Sequence, residues 1–61
     1  MEIGAAINFY RKYQTLSQKE LAEGICSQGE ISLIEQGARI PSIEMITKIC
    51  AKLGISIDAF E

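Results

Sequence analysis

Apolar residues recur along almost all of this chain every three or four positions, with no alternating strand run flanked by turn residues. Such spacing keeps them on one face of a helix, because successive residues there turn by about 100°. Ile3, Ala6, Ile7 and Tyr10 form a stripe of this kind within a first helix over about Glu2 to Tyr13, with Asn8, Arg11 and Lys12 off it. Glu2 suits the positive start of that helix, and Arg11 and Lys12 suit its negative end. Ser17 then precedes Glu20 with the spacing of a capping box, and Leu16 and Leu21 are placed as a hydrophobic staple. These signals predict a short helix over about Gln18 to Glu23, facing inward with Leu21, Ala22 and Ile25 and stopped by Gly24. Ser27 and Glu30 repeat the box signature. They open a third helix with Ile31 and Ile34 as its core pair and Gly37 just past its end. Beyond the loop Arg39-Ile40-Pro41, Ser42 caps a fourth helix over about Ile43 to Leu53, with Ile43, Ile46, Ile49, Cys50 and Leu53 at helical spacing and Gly54 ending it. Ile55, Ile57 and Phe60 predict a last short turn or helix from Ser56, with Asp58 near its positive end.

The expected fold is therefore all-α: a compact bundle of about five short helices, one domain over residues 1–61 with no room for a second core. The chain stops at Phe60-Glu61, one turn into a possible helix, which leads us to expect a domain cut from a longer protein. Hydrophobic residues at 48% and charged residues at 23% suit a packed fold rather than a disordered one. No run approaches the ~18 apolar residues of a membrane span, and no signal-peptide pattern opens the chain. We thus expect no membrane partner and a cytoplasmic location. Histidine is absent, which removes every Ser-His, Cys-His and His-metal arrangement. Cys26 and Cys50 have no C-x-x-C partner and read as small buried thiols in a reducing compartment, a single disulfide being the alternative. Cys26 has no positioned base nearby in sequence, so the chain does not read as an enzyme. No metal and no cofactor is expected.

Charge complicates the functional reading. Six Lys and Arg against eight Asp and Glu leave a net charge of −2, without the basic balance usual for a nucleic-acid binder. Such a function would have to rest on local placement of Arg11, Lys12, Lys19, Arg39, Lys48 and Lys52. The stretch from Ser17 to Gly37 nevertheless has the layout of a helix-turn-helix, two capped helices joined by Gly24-Ile25-Cys26, although the same spacing could build an inert helical hairpin. With Ile31 and Ile34 inward, the third helix turns Gly29, Leu33 and Gln36 outward, flanked by Ser32, with Gln28 and Glu30 at the margins. That set is short and mostly uncharged, unlike a merely solvated Lys/Glu face. Gln can pair with adenine, Ser with several base edges and Leu with a thymine methyl. Gly29 would let the backbone approach a groove; the plain alternative is a glycine tolerated on an exposed turn. Glu35 lies near the core edge and needs a cation.

The segments Ser17-Gln18-Lys19-Glu20-Leu21-Ala22-Glu23, Ile31-Ser32-x-Ile34-Glu35-x-Gly37, Pro41-Ser42 and Leu53-Gly54-Ile55-Ser56 resemble the xenobiotic-response-element (XRE), or phage-repressor-type, helix-turn-helix family. The resemblance spans about Ile3 to Phe60. The stretch from Leu21 to Ile31 is one residue shorter than the usual turn. Its Ile25-Cys26-Ser27-Gln28 form resembles the N-terminal domains of Rgg/PlcR-type regulators of Gram-positive bacteria, in which a following tetratricopeptide-like domain senses a signalling peptide.

That resemblance implies a sequence-specific transcriptional regulator that binds a double-stranded DNA operator. Its recognition helix, about residues 27–36, would lie in the major groove of a palindromic site bound by a homodimer, and a peptide effector would act through a C-terminal domain absent here. Gln18, Lys19 and Arg39 would contact phosphates, and Ser27 would cap the recognition helix and touch phosphate. Gln28, Gly29, Ser32 and Leu33 would face base edges. Arg11 and Glu35 would form an internal salt bridge, and Glu30 would serve as the capping-box acid rather than accept from cytosine. Leu33 departs from the Arg or Lys common in the family, which throws more weight on dimerisation. Ile40, Met45, Phe9 and Ile57 are the candidate dimer residues, although each could simply complete the bundle, Ile57 above all. The competing function is a protein-interaction module on the same scaffold that never engages DNA, supported by the outward Leu33 and the acidic balance.

Overall fold

The computed structural model describes residues 2–60; Met1 and Glu61, and with Glu61 the expected break in a helix at the chain end, lie outside the described residues. Four α-helices, α1 (Ile3–Tyr13), α2 (Gln18–Ala22), α3 (Gln28–Glu35) and α4 (Ile43–Leu53), precede a closing 3₁₀ turn over Ile57–Phe60. None of them is long and apolar enough to cross a membrane.

Each of the last three helices starts where a serine hydroxyl can take an orphan backbone donor. Ser17 Oγ accepts from Glu20 N–H at 2.9 Å, and Ser17 N–H donates to Glu20 Oε1 at 2.8 Å, which closes the expected capping box. The Glu20 carboxyl is accordingly held below its ordinary value, chiefly by that backbone donor. Ser42 Oγ accepts from Met45 N–H at 3.1 Å. Ser27 Oγ accepts from Glu30 N–H at 3.2 Å, but here the return bond is missing, so the second predicted box is only half made. The second helix ends at Ala22, one residue before the expected Glu23, which takes an extended ψ as the cap. At the end of α4, Gly54 adopts φ 69°, a left-handed turn that other residues reach only at a cost.

The core gathers Ala6 and Ile7 of α1, Leu21 and Ala22 of α2, Ile31 and Ile34 of α3, Ile46, Ile49, Cys50 and Leu53 of α4, and Phe60. Leu16, Ile25, Cys26 and Met45 pack against its margin. Both cysteines are free thiols, and burial pushes their pKa up. One predicted core residue does not belong: Ile43 is 78% exposed at the start of α4, whereas Ile46, Ile49, Cys50 and Leu53 on the same helix are buried. Ile57 is likewise left exposed on the 3₁₀ turn instead of completing the bundle. Gly4 is buried where α1 meets the end of α3, and a Cβ there would overlap the Ile34 carbonyl oxygen.

Candidate nucleic-acid interface

The turn between α2 and α3 is fixed from below. Ile25 N–H and Cys26 N–H both donate to Ala22 O, at 2.8 and 2.9 Å, while the two side chains lean on the core margin. Ile31 and Ile34 anchor α3 with almost no exposed surface. Helical geometry then dictates what faces outward. Gln28, Gly29 and Gln36 are exposed, Leu33 is partly so, and Ser32 is half-buried. The Ser32 hydroxyl accepts from Gln36 Nε2 at 2.8 Å, which orients its own hydrogen away from that amide and links two outward residues one turn apart. Eight helical residues span about 12 Å, close to the width of a B-form major groove.

Gly29 stands in open space, since a Cβ would find only Ser27 Oγ, at 4.0 Å. Neither packing nor backbone conformation demands glycine there. Gly29→Ala should therefore stabilise the fold, by up to about 1 kcal/mol from helix propensity. If close approach of backbone to DNA is what the glycine provides, duplex affinity should fall at the same time, and melting curves together with duplex titrations separate the two effects.

The expected phosphate ligands sit at opposite ends of α3. Gln18 is half-buried at the start of α2, and its Nε2 donates to Glu35 Oε1 at 3.1 Å, beside the C-terminal end of α3. One amide hydrogen is thus committed inside the protein, leaving the second and the carbonyl oxygen for an outside partner. Lys19 and Ser27 are exposed. Arg39 lies at the other end, where its Nη1 donates to Glu30 Oε2 at 3.2 Å. Glu30 is therefore an ion-pair partner of Arg39, which corrects its expected role as the acid of a capping box. The two signatures look alike in sequence, and only the course of the loop after Gly37 brings Arg39 beside this one.

Beneath the surface, Glu35 collects four bonds: Arg11 Nε at 2.7 Å, Arg11 Nη2 at 3.0 Å, Asn8 Nδ2 at 2.8 Å and Gln18 Nε2 at 3.1 Å. Arg11 Nη1 also donates to Leu16 O at 2.8 Å, so one cation ties α1 to the α1–α2 turn and to α3. Burial pushes the Glu35 carboxyl up, but the donors of Arg11, Asn8 and Gln18 outweigh it and hold the pKa below the ordinary value. The Arg11 guanidinium is raised by its bond to Glu35 against the opposing effect of burial. The expected Arg11–Glu35 bridge is present. Asn8 joins it as a residue outside the expected pair, and its place one turn before Arg11 on α1 is the sequence signal for this role.

A helix-turn-helix family model matches residues 7–60. The chain resembles PlcR of Bacillus thuringiensis, solved in complex with the peptide PapR7 and DNA, with TM-score 0.91 and 44% identity over 97% of this chain and 21% of that one. It also resembles ClgR, the clp gene regulator of Corynebacterium glutamicum, with TM-score 0.89 and 34% identity over 93% of this chain and 63% of that one. SinR, the master regulator for biofilm formation, solved in complex with DNA, aligns with TM-score 0.87 and 34% identity over 97% of this chain and 100% of that one. No curated protein matches.

Proposed function

We infer, from the premise that the chain belongs to the XRE-type helix-turn-helix family, that it is the DNA-binding part of a bacterial transcription regulator. In this reading α3 enters the major groove, with Gln28, Gly29, Ser32 and Leu33 against base edges. Gln18, Lys19, Ser27 and Arg39 hold the flanking phosphates and set the register. The observation that carries it is the two-sidedness of α3: Ile31 and Ile34 are sealed into the core, while a short, mostly uncharged face stands clear of the rest of the chain. The DNA complexes of PlcR and SinR support it.

A homodimer would double these few contacts and place two recognition helices about one turn of duplex apart. Ile40 and Phe9, 87% and 52% exposed, are available for its interface, whereas Met45 already packs on the core margin. The PapR7 complex of PlcR supports a peptide effector acting through a part of the protein beyond these residues, which span 21% of PlcR.

Selection of bound sites from random duplex DNA tests the reading. A palindromic consensus is the expected outcome, and absence of salt-dependent retention would favour the protein-interaction module instead. Two substitutions divide the surface by role. Gln28→Ala should cost about 1–3 kcal/mol on the selected site and relax preference at one base pair, so an unchanged preference would remove it from base reading. Arg39→Ala should weaken all duplexes alike and reduce the log–log salt slope by about 0.9. A change in sequence choice with the slope intact would contradict its phosphate role.

A further inference from the structure

We propose that Glu30 is a two-position acid on the recognition helix, holding Arg39 while the surface is free and turning back to cap Ser27 once a DNA phosphate takes the arginine. The proposal rests on the DNA-binding reading above. Two observations carry it. Arg39 Nη1 and Glu30 Oε2 are paired at 3.2 Å on the protein surface, where an outside anion can compete. The chain also carries its own internal comparison, because Ser17-x-x-Glu20 and Ser27-x-x-Glu30 are the same cap signature. At Ser17 both bonds form; at Ser27 only the hydroxyl bond does. Among the described residues Glu20 has no ion-pair partner, whereas Glu30 has Arg39.

The exchange is balanced in kind. Arg39 trades one charge-assisted bond for another as it passes from carboxylate to phosphate. The released Glu30 would repel the duplex if it stayed extended. Folding back to Ser27 N–H gives it a donor and places its charge at the positive end of α3. Glu30 thus tempers the attraction of Arg39 for any phosphate, which lowers binding to all sequences equally and leaves a larger share of affinity to base contacts.

The test uses the 61-residue chain and its Glu30→Gln, Arg39→Ala and doubly substituted forms. Without DNA, Arg39→Ala should free Glu30 to close the box, so amide exchange at Ser27 slows severalfold relative to the unaltered chain; unchanged exchange would overturn the proposal. With a random-sequence duplex, Glu30→Gln should bind about two- to fivefold tighter, the range that an exposed ion pair allows. Glutamine can still cap Ser27, so the helix is retained. The gain should shrink in the Arg39→Ala background. An equal gain in both backgrounds would mean simple repulsion, and a gain confined to one base pair would make Glu30 a base reader; either result overturns the exchange. Failure of the unaltered chain to bind any duplex would instead overturn the functional reading, and the phosphate half of the proposal with it.

Discussion

Arg11→Ala is expected to leave the chain largely unfolded near its present melting temperature. Arg11 and Glu35 have side chains only 10% and 4% exposed, and the guanidinium provides two of the four bonds that the carboxylate accepts. Removing it strands a charge at the edge of the core, with only the amides of Asn8 and Gln18 left to solvate it. Breaking one side of a buried pair costs about 3–5 kcal/mol. A chain of this length has only about 3–9 kcal/mol of stability in total. The expected fall in Tm is roughly 12–40 °C, read by circular dichroism. Removing both charges, as in Arg11→Met with Glu35→Leu, should restore most of the loss, because no unpaired ion then remains.

The same network fixes an acid limit. Since the folded Glu35 carboxyl titrates below its ordinary value, the unfolded chain takes up this proton first as pH falls. The network's stabilisation is fully present above the ordinary glutamate range and is lost as pH drops below it, through the folded value. Glu20, held low by the Ser17 backbone donor, acts in the same direction. In Arg11→Ala the Glu35 part of this acid dependence should shrink, because its main depressing partner is gone. A Tm within about 2 °C of the unaltered chain would show that the guanidinium carries none of this load.

Local signals in the sequence accounted for much of this architecture. Ser17, Ser27 and Ser42 each cap a helix, and each does so through contacts no more than three residues apart. The inward stripe of α3 follows from periodicity alone, and its outward face follows from the inward one. Long-range contacts were harder to read. Whether Ser27-x-x-Glu30 closes as a box depends on Arg39, nine residues away around a loop, and nothing in the box itself encodes the loop's path. Ile43 satisfies the helical spacing and still faces outward, because spacing specifies a face and not how early along the helix that face meets the core. Gln18 fits a phosphate ligand by its place at a helix start, yet Glu35 also claims one of its amide hydrogens. Gly4 gave no signal, since its constraint comes from a backbone thirty residues on.

That constraint gives the second large effect. Alanine is the better helix former by about 1 kcal/mol, so Gly4→Ala would stabilise α1 if α1 were considered alone. Next to α3 the sign reverses. The new Cβ would overlap the Ile34 carbonyl oxygen and lie 3.1 Å from the Glu35 carbonyl oxygen, and backbone atoms cannot rotate aside as a side chain could. Helix α1 would have to lift away from α3, carrying with it Arg11, two turns further along, whose bonds to Glu35 depend on that separation. Overpacking of this kind costs about 1–3 kcal/mol, and more where it also loosens a buried ion pair. We therefore expect Gly4→Ala to lower Tm while Gly29→Ala raises it, the same atom added to two helices with opposite results. Should the alanine at position 4 raise Tm instead, α1 cannot lie as close to the end of α3 as the Arg11–Glu35 bridge requires.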